Sequence, residues 1–455
     1  MAKSPLSQSI WRWHFYAGLF VIPFILILSV TGAIYLFKPQ IDRWEESAWR
    51  GLPTQNSVSA DAQLNAALAQ HPGATFVSYR LPQAPGDAAV VRLSLGKRDK
   101  RDVYIAPSGD YLASVRPKDR ISSTVSHIHG SLLLGKWGSY LVELAASWAI
   151  IMILTGLYLW WPRARSGGPR LAGVLWPRWG QKGKRLFWRD LHSVTGFWVS
   201  GLALVLLFSG LPWTELWGDG FRTVRTEMGW TDAKPQQWKN GEAAAGQQDD
   251  HSAHLHEPAS TKPNEAVPAS NQPKLSLQQV AAIAVRQKLP FPAIIQPPGA
   301  PAKFGPPNGP DWLATTETQN RPEQRKIWID ARTGDVTKRE GFDDQHAIDQ
   351  VVGYGIAWHE GQLFGWVNQL VGVLTALALI LVAVSGTIMW WRRRPQGTLG
   401  APPQPPAHKQ RGFIALMIVA GFMLPMLGLS LLAVLLLELL RYLAKRVISP
   451  PQRGG

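Results

Sequence analysis

Four of the eleven histidines occupy repeated places in the chain. His129 opens "HGSLLLGKWG", ahead of an apolar run that ends in "LYLWWPR", and His359 opens "HEGQLFGWVN", ahead of a run that ends in "TIMWWRRR". An offset of 230 residues lays one over the other without a gap: Leu133 on Leu363, Gly135 on Gly365, Thr155-Gly156 on Ser385-Gly386, Trp160-Trp161 on Trp390-Trp391, and Arg163 on Arg393. An offset of 178 pairs His14 with His192, Gly18 with Gly196 and Thr31-Gly32 with Ser209-Gly210. A lone histidine at a membrane boundary is most often a headgroup contact or a helix-end hydrogen bond. Two pairs repeated in register, one pair per membrane face, have no explanation in helix packing.

Two imidazoles from different helices at one depth suit axial ligation of a haem iron. They complete its coordination, which favours electron transfer over oxygen binding. Gly18 and Gly196 follow their histidines by four residues and so share their helical face, leaving room for a flat macrocycle. The chain has no cysteine, which excludes disulfides, thiolate metal sites and iron–sulfur clusters. His127 aligns with Ala357, so His129 is the preferred ligand. The tract "HSAHLHE" (His251, His254, His256) has metal-ligand spacing but lies in a polar insert, where a solvated tract is the simpler reading. His71, His346 and His408 lack a repeat partner. Glu143, inside an apolar run, is either a functional carboxylate or a satisfied polar contact; its repeat partner is Val373.

The elements that must hold these residues are membrane spans, each close to the ~20 apolar residues a bilayer requires. The reading is an integral membrane protein with spans over 9–37, 129–162, 189–213 and 358–391, the second and fourth beginning with the segments that carry His129 and His359. The first apolar run exceeds the ~7–15 residues of a signal-peptide core and no clear small-residue cleavage site follows, so it reads as a retained span. The formal charge of +16 first suggests a nucleic-acid partner. Mapped along the chain it does not: residues 162–190 hold eight Lys/Arg against one acid, Asp190, and 392–412 hold five against none, whereas 213–357 hold fifteen against eighteen. Short basic loops mark the cytoplasmic side. The N-terminus and the loops 163–188 and 392–411 therefore lie inside, and 38–128 and 214–357 outside. Trp11, Trp13, Trp160, Trp161, Trp213, Trp217, Trp390 and Trp391 fall at the boundaries as an aromatic belt.

The run 412–440, before a tail over 441–455, is ambiguous. A fifth span is the first reading, yet it strands Arg441, Lys445 and Arg446 outside, and Pro425 and Gly428 would permit a re-entrant bend. The outer segments also repeat. "VYIAPSGDYL" and "WIDARTGDVT" are strand candidates running into Gly-Asp turns, preceded by helix candidates in "SADAQLNAALAQHP" and "LSLQQVAAIAVRQKLP". The unit is span, small α+β domain, span, occurring twice. Residues 232–275 read as a flexible polar insert.

The motifs "HGSLLLG…TGLYLWWPR", "HEGQLFG…SGTIMWW", "WRWHFYAG" and "DLHSVTGFW" resemble the PepSY-associated transmembrane-helix family over most of residues 9–395. That family contains bacterial iron-regulated inner-membrane proteins, including ferric-siderophore reductases. The resemblance implies two PepSY-like periplasmic domains and a four-helix haem-binding bundle, with a C-terminal hydrophobic helix beyond it. It implies two haems b, the inner on His14 and His192 and the outer on His129 and His359, carrying electrons from the cytoplasm to a periplasmic Fe(III)-siderophore. No G-x-G-x-x-G lies between a strand and a helix, so the donor is a separate protein, a quinol or a diffusible reductant. Two rivals stand beside this reading: a non-redox PepSY module that binds or regulates peptidases, and a haem subunit serving a periplasmic protein.

Overall fold

The structure is a computed structural model that describes residues 5–96, 99–161, 173–178, 184–230, 275–301, 307–403 and 411–448. The first half comprises α1 (Pro5–Tyr35), α2 (Lys38–Glu45), α3 (Ala60–Gln70), β1 (Thr75–Arg80), β2 (Ala89–Ser94), β3 (Lys100–Ile105), β4 (Tyr111–Val115), α4 (Ile121–Ser131) and α5 (Gly135–Trp160). The second comprises α6 (Lys184–Gly210), α7 (Leu216–Glu227), α8 (Leu277–Arg286), β5 (Ala293–Gln296), β6 (Trp312–Thr316), β7 (Arg325–Ile329), β8 (Val336–Gly341), α9 (Ala347–His359) and α10 (Trp366–Arg393). Two further helices, α11 (Arg411–Met423) and α12 (Pro425–Ile448), follow. The chain divides into two compact units, Met1–Ala33 with Ile128–Thr223 and Val371–Gly455, and Ile34–His127 with Val224–Leu370. The insert with His251, His254 and His256, and His408, lie outside the described residues.

In the first unit the long helices are apolar all round, as a span in lipid must be. Among the described residues, five helices are long and apolar enough to cross a membrane: those of α1, α5, α6, α10 and α12. The run 412–440, open on sequence between a span and a bend, folds as a hairpin of α11 and α12. Pro425 begins α12, and Gly421 and Gly428 let the two backbones touch: a Cβ on Gly428 would stand 2.7 Å from the Gly421 carbonyl oxygen. Phe413 packs on Trp13, near the start of α1, at 5.7 Å between rings. At the turn of the hairpin Trp217 Nε1 donates to the Met423 carbonyl at 3.1 Å, and on the returning arm Ser430 Oγ accepts at 3.1 Å from Nε1 of Trp148, which itself stacks on Trp13 at 5.7 Å. The hairpin therefore enters and leaves at the end of the unit where α1 begins.

The second unit is built on one antiparallel sheet of eight strands in the order β4-β3-β2-β1-β5-β6-β7-β8. Each half of the chain supplies four strands and one helix that packs beneath them, α3 or α8. The seam is short, with Tyr79 opposite Ile295 and Arg80 opposite Ile294. Beneath the sheet the helices cap one another across the repeat. Asp61 accepts from the free amides of Leu277 and Gln278 at 2.9 and 3.0 Å, and Gln278 Oε1 accepts from Ala60 at 2.7 Å. Those first-turn amides have no partner within their own helices, which is why a carboxylate settles there. Val91, Leu93, Val103 and Ile105 from one half and Ile295, Ala314, Ile327 and Ile329 from the other close a single core over α3 and α8.

The opposite face of the first half carries charge. Glu46, just after α2, accepts from Arg120 at 2.6 Å, Tyr104 at 2.8 Å and Arg80 at 2.8 Å. Burial alone would raise its pKa, but Arg80 and Arg120 reverse this and hold the carboxyl below the ordinary glutamate range. The network fastens the chain leaving α1 and α2 to the chain entering α4.

Candidate functional site

Three histidines of the membrane unit are held in one repeated way. His14 on α1 points its Nδ1 at the Met152 carbonyl of α5, 3.0 Å away, with Thr155 Oγ1 at 3.2 Å. His192 on α6 points its Nδ1 at the Val382 carbonyl of α10, 2.9 Å away, with Ser385 Oγ at 3.3 Å. His129, in the last turn of α4, meets Thr31 Oγ1 of α1 at 3.1 Å and the backbone carbonyl of Leu28. In every case the carbonyl lies three residues before the hydroxyl.

That geometry fixes the tautomer. A carbonyl oxygen only accepts, so each Nδ1 carries the proton. The hydroxyls donate to their own helices, Thr155 to Ile151, Ser385 to Leu381 and Thr31 to Ile27 at 2.7, 2.7 and 2.8 Å, and turn a lone pair to the ring. Each Nε2 is left with its lone pair in plane. Histidines that bind metals are oriented in this manner, the second nitrogen donating to a carbonyl.

The residue after each hydroxyl is glycine, and the imidazole edge rests on it. A Cβ at Gly156 would stand 3.1 Å from His14 Cε1, at Gly386 3.2 Å from His192 Cε1, and at Gly32 3.1 Å from His129 Cε1. Gly18 and Gly196 are looser. Their nearest neighbours, Met152 Sδ and Val382 Cγ2, are at 3.9 and 4.0 Å, ordinary contact. The Thr-Gly and Ser-Gly pairs were visible on sequence as matched positions, but not what they touch, because one sequence does not say which helix faces which.

The fold brings His14 and His192 together. Their ring centres are 6.5 Å apart and their planes nearly perpendicular, at 83°. His129 belongs with α1 in the membrane unit, whereas His359 ends α9 in the sheet unit. Glu143 is fully buried and accepts from the backbone amides of Leu216 and Trp217, both at 2.9 Å. It caps α7, so the satisfied polar contact is its role. Asp190, two residues before His192, receives both arms of Arg178 at 2.7 and 2.6 Å and so ties part of the basic loop to α6. Among the boundary tryptophans, Trp160 stacks on Phe197 at 3.9 Å between rings, and Arg393 lies over Trp11 at 4.9 Å.

Residues 11–393 match the family model described as the PepSY-associated TM region. The chain belongs to this family. The match takes in α1, α5, α6 and α10, the four repeated histidines and the whole sheet, and ends before the α11–α12 hairpin. No curated protein matches the chain.

Proposed function

We propose that this PepSY-associated membrane protein is a di-haem b electron carrier of a bacterial inner membrane. It takes electrons from a donor on the cytoplasmic side and delivers them to a periplasmic Fe(III)-siderophore, releasing the iron. The observation that supports this is the His14–His192 pair. With metal–imidazole bonds of about 2.0 Å and a ring centre about 1.2 Å beyond each nitrogen, two rings flanking one ion stand roughly 6.4 Å apart, against 6.5 Å here. Both rings offer Nε2 as a base, since both Nδ1 atoms face carbonyls.

Among the described residues there is no cluster of three or more His, Cys, Asp or Glu able to hold a bare ion. Two facing imidazoles are the donor set that suits a metal whose other ligands come from a macrocycle. Haem bound between these histidines would supply one-electron chemistry. His14 and His192 would hold the inner group; the repeat assigns His129 and His359 to the outer one. The apolar spans exclude water, while Met152, Thr155, Val382 and Ser385 keep the ligand nitrogens deprotonated and aimed.

Fe(III) in hard oxygen donors is held far more tightly than Fe(II), so reduction alone releases it. The positive-inside rule places the short basic loops in the cytoplasm and the sheet in the periplasm. The hairpin agrees with that rule, because it returns Arg441 to the side on which the chain begins. The test is vectorial reduction. Liposomes holding the protein and an internal reductant should reduce an external ferric siderophore, read with an Fe(II) chromophore that does not cross lipid. A rate no higher than that of protein-free liposomes contradicts the reading.

A further inference from the structure

We propose that the Thr-Gly and Ser-Gly steps of α5 and α10 are positioning residues that hold the His14 and His192 rings perpendicular and so set the electronic state of the iron between them. This rests on the haem reading above. Each ring is keyed to its own partner helix by two independent features. Its Nδ1 is tied to a carbonyl and a hydroxyl, at 3.0 and 3.2 Å for His14 and 2.9 and 3.3 Å for His192. Its Cε1 edge lies where a side chain on Gly156 or Gly386 would begin. A ring so held cannot swing about its own bond without losing the hydrogen bonds or lifting off the glycine. The angle of 83° between the rings is therefore imposed by α5 and α10 rather than left to free rotation.

The angle has an electronic consequence. In low-spin ferric haem with two imidazoles, parallel rings split the two iron orbitals that share the unpaired electron. Perpendicular rings act on both alike and leave them nearly degenerate. Orbital angular momentum then survives, and the EPR spectrum shows one strongly anisotropic line at large g instead of a resolved rhombic set. The hydroxyl adds a second control, because an acceptor at Nδ1 strengthens the ligand as a donor and favours the ferric state. The 178-residue offset lays Ser209-Gly210 over Thr31-Gly32, so all four repeated spans carry the dipeptide at a matched position.

The test uses the full chain, purified with its haem and oxidised. The wild type should show a large-g line from one of its two haems. Gly156→Ala and Gly386→Ala should each move that line towards a rhombic spectrum. Gly32→Ala should leave it in place and disturb the other haem. Gly201→Ala serves as control, since Gly201 is exposed, has nothing within 4 Å of an added Cβ and lies nine residues, two and a half turns, beyond His192. Thr155→Val and Ser385→Ala keep the rings in place but remove an acceptor. They should raise the midpoint potential of that same haem alone, and they carry the test if the alanine variants lose it. A wild-type spectrum that is rhombic for both haems overturns the proposal, as do unchanged spectra and potentials in all four variants of α5 and α10. Two haems per chain in such a result would leave the functional reading standing. A wild type without haem would end both.

Discussion

A hydrogen bond at one imidazole nitrogen decides what the other can do, and His14 and His192 have made that choice in the same way. If these two rings share one haem, His192→Ala should lower haem content from two to about one per chain and leave the second spectrum unaltered. A variant that keeps both haems would contradict the assignment. Glu46 is the other residue whose chemistry is set by its neighbours. Its pKa is lower folded than unfolded, so its contribution to stability is complete above about pH 4.3, the ordinary glutamate value, and is lost as pH falls through the lower folded value. Glu46→Gln should cost about 3 kcal/mol at neutral pH by leaving Arg120 buried without its carboxylate. It should also flatten the acid limb of unfolding, followed by hydrogen exchange of β2 and β3. Both histidines were legible in the sequence, because the repeat isolates them from seven others. Their clamps were not, since Thr155-Gly156 and Ser385-Gly386 gain meaning only once α5 faces α1 and α10 faces α6.

Hydropathy places helices well and their turns poorly. The four repeated spans coincide with long helices, and the strand candidates before each Gly-Asp turn form the β3–β4 and β7–β8 hairpins. The run from 412 was ambiguous because its composition suits lipid throughout, and only Pro425 and the Gly421–Gly428 contact reveal the bend. A hairpin puts both its ends on one side of the membrane. Reporter fusions at the C-terminus and at the N-terminus should therefore report the same face; opposite faces would mean a through-going span. Gly428→Leu should force the arms apart, at a cost of about 1–3 kcal/mol from overpacking, and expose the contact to protease or label.

At the scale of the molecule, the duplication does more than repeat a domain. The two segments between the spans pair through β1 and β5 into one sheet over one core, a joining no local pattern announces because over 200 residues separate Tyr79 from Ile295. The mutual capping of α3 and α8 makes the halves interdependent: Asp61→Ala should cost about 1 kcal/mol and speed hydrogen exchange at Leu277 and Gln278, in the opposite half. The His14–His192 pair shows the same logic, taking one histidine from each half. The central claim is that these histidines hold haem, and the direct measurement is the absorption spectrum of the detergent-purified chain, oxidised and dithionite-reduced, with haem counted per polypeptide. Two six-coordinate b-type haems with a sharp reduced α-band are the predicted result. A chain that carries no haem after haem-replete expression would contradict the account and leave a membrane-anchored PepSY binding module in its place.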